Sequence, residues 1–156
     1  MNLRELLRPP LVAVDVAVDD WEGAVRAAGN LMVAEGSVEP RFVDAMIRVA
    51  HEFGPYIVVA PGIALPHARP EDGVIRASIS VITLATPVNF GNPDNDPVNL
   101  VIALAAIDNK QHIQGLADLA AVLGEPDNVV RLKTCKTAQE VQDVFWSKSG
   151  EPVNSA

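Results

Sequence analysis

Residues 98–106 read VNLVIALAA, nine positions with a single polar side chain, Asn99. A strand with this composition has no face fit for water, so both of its faces need cover, and in a chain of this size the cover is helical. The run cannot be a membrane span, which needs about 20 apolar residues. It therefore predicts a central strand, and the segments on either side read as what packs around it. Upstream, Thr86 to Pro97 (TPVNFGNPDNDP) is a polar, turn-rich loop, and Val74 to Ala85 (VIRASISVITLA) is a second strand carrying Ile79, Val81 and Leu84. Downstream, Asp108 is placed to cap a helix over Asn109 to Leu123 that buries Ile113, Leu116, Leu119, Ala120 and Leu123 before Gly124.

The remaining segments complete the layers. Leu3 to Leu7 forms a short helix ended by Pro9 and Pro10, and Leu11 to Val18 (LVAVDVAV) alternates as a strand. Asp19 and Glu22 have capping-box spacing for a helix over Asp20 to Ala34, with Ala24, Ala27, Leu31 and Met32 inward and Gly36 as the stop. A second helix runs from Pro40, a residue suited to the first helical position, to Phe53, before Gly54-Pro55. His51 in its last turn is suited to the negative end of the helix dipole. Tyr56 to Val59 and Ile63 to Leu65 read as short strands split by Pro61-Gly62. Glu125 to Cys135 makes a short helix through Val129, Val130 and Leu132. Thr137 with Glu140 is a capping box opening a last helix over Val141, Val144 and Phe145 that frays near Gly150. The fold class is α/β: one layered sandwich over residues 1–156, its core about 11–147, with a central mixed sheet flanked by helices on both faces.

Composition narrows the function. A net charge of −8, with no run among the 12 Lys and Arg, argues against a nucleic-acid partner, since phosphate backbones are bound by clustered cations. One cysteine, Cys135, allows no intrachain disulfide and no zinc-ligand spacing, which suits a reducing compartment. The start, MNLRELLRPP, has Glu5 and paired prolines where a signal peptide needs an apolar core, so the chain is expected in the cytoplasm without membrane insertion. No P-loop signature or magnesium-holding carboxylate pair occurs, and neither metal nor cofactor is expected.

Chemistry concentrates in Ala60 to Asp72, APGIALPHARPED. Pro66 stiffens the backbone that presents His67 and drives Leu65 to extended geometry. Gly62 permits a backbone conformation, or a close approach, closed to other residues. Arg69 brings a planar fork of donors suited to phosphate or carboxylate oxygens. The plain alternative is a satisfied loop histidine beside a surface arginine. Trp21 and Trp146 read as packing residues, and Cys135, in RLKTCKT with no phosphate-cradling loop before it, as an ordinary helix or loop residue.

The motif PGIALPHARP, followed by DNDPVNLVIALAAIDNKQH and a helix of the type QGLADLAAVLGE, resembles the EIIA component of the bacterial sugar phosphotransferase system, mannitol/fructose class, from about Trp21 to Val144. The stretches FGPYIVVAPGIALPHARPEDGV and NPDNDPVNLVIALAAID look most like its ascorbate-specific branch. The resemblance implies a phosphotransferase component in which His67 accepts phosphate from the phosphohistidine of the carrier HPr. It would pass the group to a cysteine of EIIB, which charges a carbohydrate, here ascorbate, held by the membrane component EIIC; a homodimer is compatible with the same reading. His112 matches the family's second histidine, beside the first, and Arg69 and Ala68 stand as phosphate-binding candidates. Two departures stand out. The mannitol type carries an arginine at the end of the helix before the active strand, where this chain has Val49 to His51 and no arginine nearer than Arg48. The glycine that often follows the active histidine is Ala68.

Imidazole suits the task, because near neutral pH one nitrogen is unprotonated and nucleophilic while the other keeps its proton. Other readings remain at this point. A nitrogen-type regulatory EIIA would share the histidine but relay phosphate without sugar transport. A hydrolase would use His67 as general base, oriented by Asp94 or Asp96. A binding module would only contact ligand through His67.

Overall fold

The computed structural model describes residues 3–147. The expected fraying near Gly150 lies outside them. Val98–Ala105 is strand β5, central as its composition requires, in a five-stranded sheet of order β1-β4-β5-β3-β2. The others are β1 (Val12–Val16), β2 (Val58–Ala60), β3 (Ile63–Ala64) and β4 (Ser78–Val88). The sheet is mixed: β1 runs parallel to β4 and β3 parallel to β5, whereas β4–β5 and β2–β3 are antiparallel.

Among the described residues six α-helices cover it: α1 (Leu3–Leu6), α2 (Trp21–Glu35), α3 (Pro40–Phe53), α4 (Asn109–Leu123), α5 (Pro126–Thr134) and α6 (Ala138–Ser147). Register shows that the cover is two-sided. Ser80 pairs with Ala103, and its hydroxyl donates to the Ala28 carbonyl of α2 at 2.9 Å. One residue along, Ile79 pairs with Leu104, whose side chain packs under Gly115 of α4. Successive strand residues point to opposite faces, so α2 and α4 lie on opposite sides of the sheet. Helix α3 packs on α2, where a Cβ at Gly29 would fall 2.8 Å from Val43 Cγ2, and α1, α5 and α6 join the α4 side.

Several expectations shift. The packed core takes in Leu3, Leu6 and Leu7, ahead of residue 11. The cap of α2 is Asp20, whose Oδ1 accepts from the Gly23 amide at 2.8 Å; Asp19 lies one residue too early, and Glu22 turns instead to His51. The buried stripe of α2 is Ala24, Val25, Ala28, Gly29 and Met32, with Ala27 and Leu31 only partly covered. Strand β1 stops at Val16. Residues 54–57 form a 3-10 turn, so β2 begins at Val58. Strand β4 starts at Ser78 because the amides of Ile75 and Arg76 both go to the Ser37 carbonyl. It then continues through Pro87, where a register shift removes the need for a donor.

Helix α4 has the expected bounds and the expected cap, Asp108 Oδ1 to the Gln111 amide at 2.8 Å. Its buried face is Gly115, Leu119 and Val122, while Ile113 and Ala120 are exposed. In α5 the buried positions are Asn128 and Leu132, and Val130 faces out; Asn128 donates to the Val122 carbonyl and ties the α4–α5 corner. The Thr137–Glu140 capping box is formed in both directions. Trp146 packs as expected, donating to the Leu7 carbonyl with Arg4 over its ring.

Candidate functional site

The parallel pairing of β3 with β5 carries the chain from Ile63 to His67 along the central strand. Leu104 donates its amide to the Pro66 carbonyl at 3.1 Å, which holds His67 beside the C-terminal end of β5. The hairpin ahead of β3 needs glycine. Gly62 has φ +76°, and Lys133 Nζ, donating to the Pro61 carbonyl at 2.7 Å, occupies the space where a Cβ would go. The stretch is anchored again at Leu65, whose amide donates to the Ile57 carbonyl.

His67 is half-buried, and its Nδ1 lies 3.0 Å from the Leu65 carbonyl oxygen. A carbonyl only accepts, so Nδ1 carries the proton and Nε2 presents its lone pair. The backbone of the motif itself supplies the acceptor that sets the tautomer, a partner absent from any side-chain pattern.

His112 lies in the first turn of α4, its ring centroid 5.5 Å from that of His67. Burial first, and then the neighbouring His67, push its pKa below the ordinary 6.5. Its Nδ1 is enclosed and has no partner among the described residues. An enclosed lone pair costs less than an enclosed N–H bond left unmade, which favours the tautomer with the proton on Nε2. The pair therefore joins a nucleophilic nitrogen on His67 to a neutral donor on His112.

Two cavities flank His67. One, of about 190 Å³, is lined by Val49, Phe53, His67, Ala68, Arg69, Pro70, Asn109 and His112. The other, of about 310 Å³, is walled by Val49, Ala50, Phe53, Tyr56 and Ile57. Phe53 and Tyr56, which line the larger cavity, are 62% and 83% exposed.

The predicted site residues sort cleanly by place. His67, His112, Arg69 and Ala68 come together around the smaller cavity. The Arg69 guanidinium forms no ion pair among the described residues, but its amide is already given to Asp72 Oδ2 at 3.0 Å and is no free donor for an anion. Arg48 faces the same turn, 3.7 Å from Asp72 Oδ1, without lining either cavity. His51 is held by Glu22 Oε1 at 2.8 Å and by the edge of Trp21, a tie between α2 and α3 in place of a dipole contact alone.

The hydrolase reading is corrected by the position of its carboxylates. Asp96 accepts from the amides of Phe90, Gly91 and Asn92, closing the loop before β5. That loop and His67 sit at opposite ends of β5, about 20 Å apart at 3.3 Å per residue. Cys135 is buried, donates to the Arg131 carbonyl and has its pKa raised, chiefly by burial, so it is no ready nucleophile. Among the described residues no three metal-ligating side chains converge, and no helix is long and apolar enough to cross a membrane. Asn109 was missed by motif reading; only its place three residues before His112 hinted at it.

Known proteins share this sequence pattern and fold. Residues 5–148 match the family model described as phosphoenolpyruvate-dependent sugar phosphotransferase system, EIIA 2. The ascorbate-specific PTS system EIIA component of Escherichia coli K12 is 38% identical over 147 residues, covering 93% of this chain and 96% of that protein. The mannitol-specific cryptic phosphotransferase enzyme IIA of E. coli superposes with a TM-score of 0.84 at 28% identity, covering 93% of this chain and 98% of that one. The E. coli mannitol enzyme IIA, solved in complex with phosphorylated enzyme IIB, superposes with a TM-score of 0.79 at 28% identity, covering 90% and 99%.

Proposed function

Since the chain belongs to the EIIA type 2 family of the phosphoenolpyruvate-dependent sugar phosphotransferase system, we propose that it is a cytoplasmic phosphoryl carrier in which His67 takes phosphate from phospho-HPr and delivers it to a cysteine of EIIB. Through that partner it serves a membrane EIIC that takes up ascorbate. The family match spans residues 5–148, and we read it as one domain. The hydrogen bond from His67 Nδ1 to the Leu65 carbonyl is the observation that carries the reading, because it leaves Nε2 as the unprotonated nitrogen of a ring that lines two open cavities.

In the first step Nε2 attacks phosphorus. The bond from phosphorus to the HPr histidine breaks, its electron pair returns to that histidine, and a P–Nε2 bond forms while Nδ1 keeps its proton. In the second step a thiolate of EIIB attacks phosphorus, an S–P bond forms, and the pair of the P–Nε2 bond returns to His67. Positioning and charge stabilisation supply most of the catalysis in such loose transfers. His112 Nε2–H and the Arg69 guanidinium serve as donors, and Ala68 forms part of the wall. The exposed Phe53 and Tyr56 give both partners one apolar landing surface, since both must reach the same nitrogen. A protein at −8 needs cations at the site or on its partners to hold a further anion. The ascorbate-specific name of the curated relatives supports transport over a nitrogen-type regulatory role.

The test is reconstitution with Enzyme I, HPr and labelled phosphoenolpyruvate, followed by EIIB proteins of ascorbate and mannitol systems. Acid-labile, base-stable label on this chain that then moves to the cysteine of the ascorbate-type EIIB supports the reading. Label that reaches neither EIIB defeats the transport role, and transfer to the mannitol EIIB alone defeats the ascorbate assignment.

A further inference from the structure

A phosphoryl group in transfer spreads charge over three equatorial oxygens, and fixed donors at those oxygens are the chief help a protein can give. In the smaller cavity Val49, Phe53, Ala68 and Pro70 offer no side-chain donor. Beside the two histidines only Arg69 and Asn109 do. The start of α4 shows a division of labour. Asp108 is engaged with the Gln111 amide, and the Gln111 side chain accepts from the Ile107 amide, so these two hold the turn. Asn109 and His112 are the ones that line the cavity, and the Asn109 carboxamide has no hydrogen-bond partner among the described residues. The first turn of α4 carries no acidic residue, although Asp or Glu there would favour the helix. Such an acid would stand at the rim of a cavity holding His67.

We propose that Asn109 is a catalytic residue of the relay, its Nδ2–H donating to an equatorial oxygen of the phosphoryl group on His67, the third side-chain donor with His112 and Arg69 for three oxygens. The amide stays neutral and exchanges no proton, so the bonds made and broken are those already given. The proposal rests on His67 being the carrier.

The experiment mixes phospho-HPr with the unphosphorylated protein and measures the final distribution of phosphate for wild type, Asn109→Ala and Asn109→Asp. An equilibrium between free species does not depend on how the partners dock, so it reports how far each variant stabilises its phosphorylated form over its unphosphorylated one. The alanine variant is expected to shift the distribution about tenfold toward HPr, the value of one hydrogen bond to a charged group. The aspartate variant is expected to shift it further, with a melting temperature at or above wild type because an acid in the first turn suits the helix. A residue that merely holds the helix would give an alanine variant with the wild-type distribution, the aspartate variant alone being shifted by charge repulsion. A wild-type distribution in either variant overturns the proposal. If wild type takes up no phosphate at all, the assignment of His67 falls and the role of Asn109 falls with it, a result distinct from the first.

Discussion

The imidazole Nδ1 of His67 donates to the carbonyl of Leu65, two residues back, at 3.0 Å, so the strand end that delivers the ring also sets its tautomer. Substitution of Pro66, which stiffens the intervening backbone, is expected to loosen this contact. Pro66→Ala should leave the fold intact and slow labelling of His67 by phospho-HPr several-fold, on the order expected for relaxed positioning. Single-turnover labelling measures it.

His112 is held at a depressed pKa by burial and by His67. Its folded-state pKa lies below its unfolded value, so the unfolded chain binds the proton first, and this group lowers stability as pH falls below the ordinary 6.5. His112→Gln removes that titration. Melting curves at pH 8 and pH 5.5 should show the variant gaining on wild type at the acid end. Its transfer rate should fall on the order of tenfold to a hundredfold at both, as when one donor to a transferring group is removed.

Gly62→Ala would place a methyl group 2.8 Å from Lys133 Nζ on a backbone at φ +76°. A cost of about 1–3 kcal/mol follows from the left-handed conformation alone. The double variant Gly62→Ala/Lys133→Ala should recover only part of it, since the backbone strain remains; chemical denaturation of the set reads this directly.

Asp96→Ala removes the acceptor of three loop amides. The expected loss is about 2–4 kcal/mol of stability, at roughly 1 kcal/mol for each hydrogen bond. Below its lowered melting temperature the variant should take label on His67 at the wild-type rate, which a hydrolase using Asp96 would not allow.

Phe53→Ser is expected to raise the KM for phospho-HPr and the concentration of EIIB needed for transfer together, with the melting temperature nearly unchanged because the ring is 62% exposed. A change confined to one partner would separate the two docking surfaces.

The layered architecture was legible from residues 98–106 because a nearly all-apolar strand admits few surroundings. The helix bounds of α3 and α4 followed from Pro40, Asp108 and the residues after them. What misled was the assumption that apolar side chains turn inward. Ile113 and Val130 fit a buried stripe by spacing yet face solvent, while Gly115 is on the buried face of α4, where a larger side chain would strike Leu104. At the start of α2 two adjacent acids compete for one cap, and spacing to Glu22 favoured Asp19 where geometry uses Asp20. Within the site His67 and His112 could be named from the motif. The Leu65 carbonyl, the amide of Arg69 spent on Asp72, and Asn109 at the cavity rim depend on backbone course and register, which residue types alone do not encode.

The central claim is that Nε2 of His67 carries the phosphoryl group. Its most direct test is phosphorus–nitrogen NMR of the protein charged by Enzyme I, HPr and phosphoenolpyruvate, run beside His67→Ala. A single phosphohistidine bonded through Nε2 is expected, absent from the variant. A phosphohistidine that persists in His67→Ala, or one bonded through Nδ1 of His67, would contradict it.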